Sequence, residues 1–290
     1  MKIGIIGAGK VGTTLGKYLS IHGVPVVGYY SRSDSSAAAA AEFTETEVYH
    51  TLRELASASD TLFITTPDGE IGGVWDCIRD TGLSEKIICH FSGSLSSHVF
   101  SGIEQTGASG CSIHPMYAFG GRFTSYQQFH TAMLTMEGQR EAVEKMRSLF
   151  GDRLRHRILP IRTEDKMKYH AAAALASNYM VGLFEVSLTL LGECGFSEED
   201  ARSLLRPLLE ANIGNMLEEG TQASLTGPVE RNDVETVEKH LQVLGSSNTE
   251  IIYRELGKVL ASLAERKNPG RDYSQMRQLL EQGLSERNKK

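Results

Sequence analysis

The chain is poor in cysteine: its 290 residues hold four, Cys77, Cys89, Cys111 and Cys194, and none stands in a CxxC pair. That spacing argues against a zinc ribbon and against a redox dithiol, and in a chain this long it favours core thiols over a disulfide framework. A clustered basic surface is missing too. Thirty Lys and Arg against 36 Asp and Glu leave a net charge of −6. The nearest basic run, Arg153-Leu154-Arg155-His156-Arg157, is short, whereas phosphate backbones demand a concentrated patch, so nucleic acid is not an expected partner. No apolar run approaches the ~18 residues a membrane-spanning helix needs. Met1-Lys2 leads straight into a strand pattern, with no room for a signal peptide. These absences point to a soluble protein of a reducing cytoplasm, with no bound metal and no membrane partner. Internal repeats are absent as well.

What is present is alternation. Short apolar runs read as strands at Lys2–Gly7, Val24–Ser31, Glu47–His50, Thr61–Thr66, Lys86–Phe91, Gly110–His114, Thr131–Met136 and His156–Ile161. Helical patterns fall between most of them: Lys10–Ile21, Ser35–Phe43, Ile71–Asp80, Leu95–Gln105 and Arg140–Leu149. Apolar strands alternating with helices imply a mostly parallel sheet covered on both faces. After Thr163 the strand pattern stops. Helices are expected at Glu164–Glu193, Ser197–Glu218, Pro228–Leu244, Thr249–Glu265 and Tyr273–Arg287. The fold class is therefore an α/β Rossmann-type domain, residues 1–163, followed by an all-α domain, residues 164–290.

The sharpest motif is Gly7-Ala8-Gly9-Lys10-Val11-Gly12, placed between the first strand and the first helix. A GxGxxG alone is weak, but strand, glycine turn, helix and second strand together form a dinucleotide site. Gly7 permits the turn, Gly9 lets backbone approach a pyrophosphate, and Gly12 lets the helix lie close to the sheet. The helix N-terminus offers free N–H groups to the phosphates. An NAD site usually carries Asp or Glu at the tip of the second strand. Here the tip reads Gly28-Tyr29-Tyr30-Ser31-Arg32-Ser33. A guanidinium beside a hydroxyl suits a 2′-phosphate, so NADP(H) is the expected cofactor.

Three further strand ends carry polar turns: Thr65-Thr66-Pro67-Asp68, His90-Phe91-Ser92-Gly93-Ser94 and Ile113-His114-Pro115. Ligands of open α/β sheets bind at such carboxyl ends. Thr66, Pro67 and Ser92 are therefore expected at the cofactor, and Ser92 with Gly93 at the substrate.

These residues resemble the 6-phosphogluconate-dehydrogenase-like group, which includes ketopantoate reductase, pyrroline-5-carboxylate reductase and the 3-hydroxyacid dehydrogenases. More narrowly, the chain resembles a branch defined by a Rossmann-like domain plus the domain DUF2520. Three segments carry the narrower match: Ser112-Ile113-His114-Pro115-Met116; Tyr169-His170-Ala171-Ala172-Ala173 with Asn178; and Leu225-Thr226-Gly227-Pro228 followed by Arg231-Asn232-Asp233. The resemblance implies a nicotinamide between the domains and substrate against the first long helix of the second domain. In the hydroxyacid dehydrogenases and ketopantoate reductase that helix carries a Lys as general acid, with an Asn one turn later. Here Asn178 can be the Asn, but Ala174 stands one turn before it, while Lys166 and Lys168 lie at the helix start.

His170, His114 and Lys168, with Asn178, are accordingly the candidate catalytic residues, since a His near neutral pKa suits proton donation. His170 and Asn178 lie about 80° apart and roughly 12 Å along a helix, so they can line one cleft but cannot both touch one small carbonyl. Thr226, Gly227 and Arg231 are candidates for a substrate carboxylate or phosphate, because the turn places free N–H groups at a helix start. The expected reaction is NADPH-dependent reduction of a small 2-oxo acid, ketopantoate first. The rivals are an imine reductase and a non-catalytic NADP(H) sensor. Long apolar helices also suggest a homodimer.

Overall fold

A computed structural model describes residues 1–285. They divide into two compact units, Met1–Met180 and the residues from Val181 on. The strands of the first unit are β1 (Ile3–Ile6), β2 (Val26–Tyr30), β3 (Glu47–Val48), β4 (Thr61–Ile64), β5 (Ile87–His90), β6 (Ser109–Met116), β7 (Met133–Gly138) and β8 (Ile158–Pro160). Its helices are α1 (Lys10–Ile21), α2 (Asp34–Thr44), α3 (Leu52–Ala58), α4 (Asp68–Ile78), α5 (Arg140–Arg147) and α6 (Lys166–Ala174).

One sheet of order β3-β2-β1-β4-β5-β6-β7-β8 collects every strand. The strands β1 to β6 run parallel, β7 returns antiparallel to β6, and β8 pairs parallel to β7. The central strands β1, β4 and β5 are buried at every position, as a sheet covered on both faces requires. One face packs Leu15, Tyr29, Phe63, Phe129 and Phe150. The other packs Leu62, Ile64, Trp75, Ile88 and Phe100. Strand order reverses between β1 and β4, which opens the crevice at their carboxyl ends.

Local chemistry accounts for most boundaries and for the departures. Ser33 caps α2 by accepting from Ser36 N. The helix α3, which the sequence pattern leaves out, starts on a capping box between Thr51 and Glu54. The helix expected at Leu95–Gln105 is instead two 3₁₀ turns, Ser97–Val99 and Ile103–Thr106. Gly102, at φ +71°, breaks the run between them.

The second unit is all helical: α7 (Met180–Glu193), α8 (Glu198–Glu219), α9 (Thr221–Ser224), α10 (Pro228–Arg231), α11 (Val234–Leu244), α12 (Asn248–Lys267) and α13 (Ser274–Ser285). The expected end of the last helix at Arg287 lies outside the described residues. Its core gathers Val229, Val237, Leu241, Ala261, Tyr273, Met276 and Leu280. The single helix expected over Pro228–Leu244 is split, because Asn232 at φ +61° turns the chain and Asp233 caps α11 anew.

One expectation needs correction. The stretch Thr163–Glu193 is long and apolar enough to cross a membrane by length and composition alone. His170, Ser177, Asn178 and Glu185 interrupt the apolar letters, while the many Ala, Leu and Val keep the average high. Core helices of water-soluble proteins that meet the same criterion are mostly buried, whereas the 18-residue window that meets it here is 0% buried; length and composition alone still do not make a span.

Candidate functional site

Within the first unit the glycine turn behaves as its spacing requires. Gly7 sits at φ +105°, a conformation that costs a side chain dearly. A Cβ at Gly12 would collide with the Gly7 carbonyl oxygen, so only glycine lets α1 lie so close to β1. At Gly9 a Cβ would meet nothing within 4 Å; the space there is open to a ligand. No side chain caps the start of α1, which leaves its first N–H groups for an anion.

A cleft of these same elements is lined by Gly7, Ala8, Gly9, Ser31, Arg32, Thr66, Pro67 and Glu70, among others. Thr65 ties its two strands by donating to the carbonyls of Ile6 and Gly7 at 3.1 and 2.8 Å. Thr66 Oγ1 is buried without a hydrogen-bond partner. An orphaned hydroxyl in a glycine-built cleft fits a polar ligand that completes it. Arg32 stands at the rim in an ion pair with Glu70, 3.1 Å apart and largely exposed. This carboxylate comes from the first turn of α4 and not from the tip of β2, where the sequence holds none. An exposed pair of this kind is worth ~0–1 kcal/mol, so it does not bar a phosphate from the guanidinium. Lys10 and Val11 form the first turn of α1. Together these residues fit a dinucleotide.

A second cluster gathers at the ends of β5 and β6. Lys166, Tyr169 and His170 lie at positions i, i+3 and i+4 of α6 and so share one helix face. Lys166 is 2% exposed. Its Nζ donates to the Ser92 carbonyl at 2.9 Å and to Ser112 Oγ. Burial pushes its pKa down to about 8, against the pull of Glu137, Asp68 and Cys111. His114 Nδ1 hydrogen-bonds the Tyr169 hydroxyl at 2.8 Å. Burial, then the Lys166 and His170 charges, lower the His114 pKa to about 4. The ring is therefore neutral at physiological pH. If the phenol donates to Nδ1, the imidazole proton stands on Nε2. His170 Nδ1 is buried without a partner.

Gly93 explains how two rings fit together. A Cβ there would stand 2.6 Å from His170 Nδ1 and 2.8 Å from His114 Nε2, so both nitrogens crowd one stretch of backbone. Asp68, at the start of α4, accepts from Ser92 Oγ at 2.8 Å and Ser94 Oγ at 2.6 Å, which fixes that loop. Ser92 Oγ in turn accepts from Ser94 N and Leu95 N. Beneath the cluster, His90 is fully buried, and desolvation lowers its pKa to about 4.

The structure thus brings together Ser92, Gly93, His114 and His170 from the sequence candidates. Two others stay apart. Lys168, two residues past Lys166 and on another face of the helix, is exposed; the buried lysine is Lys166. Asn178 is exposed and accepts from Ser177 Oγ. It lies in a π-helical turn, Leu175–Tyr179, which changes the phase that the spacing argument assumes. Thr226, Gly227 and Arg231 belong to the second unit. They flank or form α10, a helix of four residues, with Thr226 and Arg231 exposed; one turn accumulates little dipole. Lys166, Tyr169, Asp68 and Ser112 are the residues the sequence candidates omit. The signal for the first two is the i, i+3, i+4 spacing Lys166-Tyr169-His170.

Residues 1–115 match the family model of the Rossmann-like domain. Residues 132–260 match the model of DUF2520, a domain of unknown function. No curated protein matches the chain in sequence. Among solved structures it is similar to a Bacteroides fragilis protein assigned as an NADP oxidoreductase, at 22% identity and TM-score 0.74, over 90% of this chain and 98% of that one. It is also similar to a Plasmodium falciparum pyrroline carboxylate reductase with NADP bound, at 14% identity and TM-score 0.58, over 90% and 98%. A third is a reductive aminase from Aspergillus terreus in complex with NADPH and ethyl-5-oxohexanoate, at 16% identity and TM-score 0.62, over 98% and 94%. At these identities the likeness is one of fold.

Proposed function

The chain joins a Rossmann-like domain to a DUF2520 domain, and from that premise we propose that it is an NADP(H)-dependent oxidoreductase acting on the carbonyl carbon of a small 2-oxo acid. The observation that carries this reading is Lys166: a buried lysine with its pKa lowered to about 8, beside two imidazoles at the carboxyl ends of β5 and β6. When bound, the nicotinamide supplies the hydride. The chain's own residues supply position and proton. Arg32 and Ser31 suit a 2′-phosphate, the start of α1 suits the pyrophosphate, and Thr66 offers a free hydroxyl. Lys166 spends two of its three N–H donors on Ser92 and Ser112. The third is free to steady a carbonyl oxygen and to give it a proton. His114, neutral, offers an N–H to the same oxygen or to the substrate carboxylate. Ketopantoate is one member of this class, and no residue of the site singles it out.

A second reading, reduction of a C=N bond, is favoured by the pyrroline carboxylate reductase and the reductive aminase among the similar folds. An iminium arrives already protonated, so it needs no acid, and a buried ammonium repels it. Partners under either reading are a small carboxylate and a second copy of the chain, with no nucleic acid and no membrane. Four free thiols suit a cytoplasmic location.

The experiment is a fluorescence titration of NADPH and NADH, followed by an NADPH-oxidation screen of 2-oxo acids and cyclic imines with wild type, Arg32→Ala and Lys166→Met. We expect NADPH to bind more tightly than NADH and Arg32→Ala to erase most of that preference. Turnover of a 2-oxo acid should decline above about pH 8 and fall about 100-fold or more in Lys166→Met. Imine turnover that survives Lys166→Met moves the assignment to the second reading. Tight NADPH binding with no turnover leaves a sensor.

A further inference from the structure

One buried carboxylate has no part in the mechanism above. Glu137, on β7, is 6% exposed. In the antiparallel β6–β7 ladder it pairs directly with Ser112, the residue whose hydroxyl accepts from Lys166 Nζ. Residues directly opposite in such a ladder share a face, with Cβ atoms about 5 Å apart. Glu137 and the anchor of Lys166 therefore stand side by side. The Glu137 oxygens also accept from Ser97 N at 2.7 Å, Ser97 Oγ at 2.8 Å and Thr163 Oγ1 at 3.2 Å. Thr163 opens the 3₁₀ turn Thr163–Asp165 that runs directly into α6, three residues before Lys166.

We propose that Glu137 is a positioning residue for the reaction: it anchors the entry to α6 and is the counter-charge that keeps the buried Lys166 ammonium in its proton-donating form. The anchoring alone does not require a carboxylate. A neutral amide could keep this anchoring without the cost of burying a charge: its oxygen accepts from Ser97 N, and the Ser97 and Thr163 hydroxyls can turn to accept from its N–H groups. A buried charge is sustained where an opposite charge faces it. The ionisable groups that act on Lys166 come from every neighbouring element: Glu137 from β7, Asp68 from α4, Cys111 and His114 from β6, and His90 from β5. Two of these are carboxylates. Asp68 is exposed and already engaged by Ser92 and Ser94, so solvent screens it. Glu137 acts from the interior.

The inference rests on the reading of Lys166 as the proton donor only for its catalytic consequence; the charge coupling itself is testable on the resting protein. Lysine labelled with ¹³C at Cε is followed by NMR against pH, with the Lys166 resonance assigned by Lys166→Arg. In Glu137→Gln the Lys166 titration should move down by about one pH unit or more, with the other lysines unmoved. Thr163→Val, which loosens the anchor but keeps the charge, should leave Lys166 where it is in the wild type. An unmoved Lys166 in folded Glu137→Gln overturns the proposal. So does a downward movement of about one pH unit in Thr163→Val, a result that remains decisive if Glu137→Gln does not fold. Neither reading needs cofactor or substrate, so a failed oxidoreductase assignment and a failed Glu137 coupling give different results.

Discussion

His90 and His114 are the residues at which folding and acidity meet. Each is a base whose pKa burial lowers from 6.5 to about 4. As pH falls through 6.5, the unfolded chain binds protons at these positions and the native chain does not, until about pH 4. The unfolded state therefore binds more protons across that window, and stability drops as pH falls through it. For fully buried His90 a shift of that size corresponds to on the order of 3 kcal/mol. Lys166 works at the other end. Its lowered pKa of about 8 makes the native state release its proton first, so stability rises as pH goes from 8 to 10.5. Urea unfolding at pH 7 and pH 5 should show the wild type losing stability in acid, and His90→Gln should lose clearly less over the same interval. An unchanged acid slope in folded His90→Gln refutes the assignment to His90. None of this was legible in the sequence, where His90 is one polar letter at the end of an apolar strand. Its burial follows from the neighbours that the sheet order brings to β5, and a linear reading does not contain that order.

At the scale of elements, the glycine turn separates two functions that one motif combines. A Cβ at Gly12 meets the backbone oxygen of Gly7 and lies 2.5 Å from Thr65 Oγ1. Alanine there must push α1 off β1, at about 1–3 kcal/mol. Gly9 has extended backbone, φ −81° and ψ −164°, and open space around its Cα. Alanine there costs the fold little but fills the path of a pyrophosphate. Gly12→Ala should lower the midpoint of thermal unfolding, whereas Gly9→Ala should unfold like the wild type and yet lose NADPH binding by tenfold or more. Equal stability losses in the two variants contradict this division. The motif and all eight strands were readable because period and turn chemistry are local. The π-helical turn Leu175–Tyr179 was not, since nothing in Leu175-Ala176-Ser177-Asn178 marks it. The spacing that sets His170 and Asn178 about 80° and roughly 12 Å apart assumes a regular helix there, and this turn removes that assumption. The short helix α3 was legible in principle from Thr51 and Glu54, and Gly102 was the signal that Leu95–Gln105 cannot be one helix.

For the whole molecule the question is what covers its apolar exterior. Among the described residues, α7 buries no side chain and α8 buries only Ala201. Val181 is 68% exposed, Leu208 58% and Leu217 76%. A helix as apolar as α7 is ordinarily buried, and exposure on this scale marks an interaction surface. A bilayer is a poor match for α8, whose sequence carries Glu198, Glu199, Asp200, Arg202, Arg206 and Glu210 along with the leucines. A second copy of the chain supplies the same mixture of leucines and opposed charges, in the self-complementary way that a two-fold interface requires. Sedimentation in detergent-free buffer at micromolar concentration should therefore give twice the chain mass. Val181→Asp combined with Leu208→Asp should shift it toward the monomer while β1 to β8 keep their circular-dichroism signature. A wild-type monomer that stays soluble without detergent rejects the dimer, and a protein recovered only with lipid rejects it in favour of the membrane. Because the Gly7–Gly12 turn and Lys166 both lie in the first unit, dinucleotide binding in the double variant should survive even where the dimer does not.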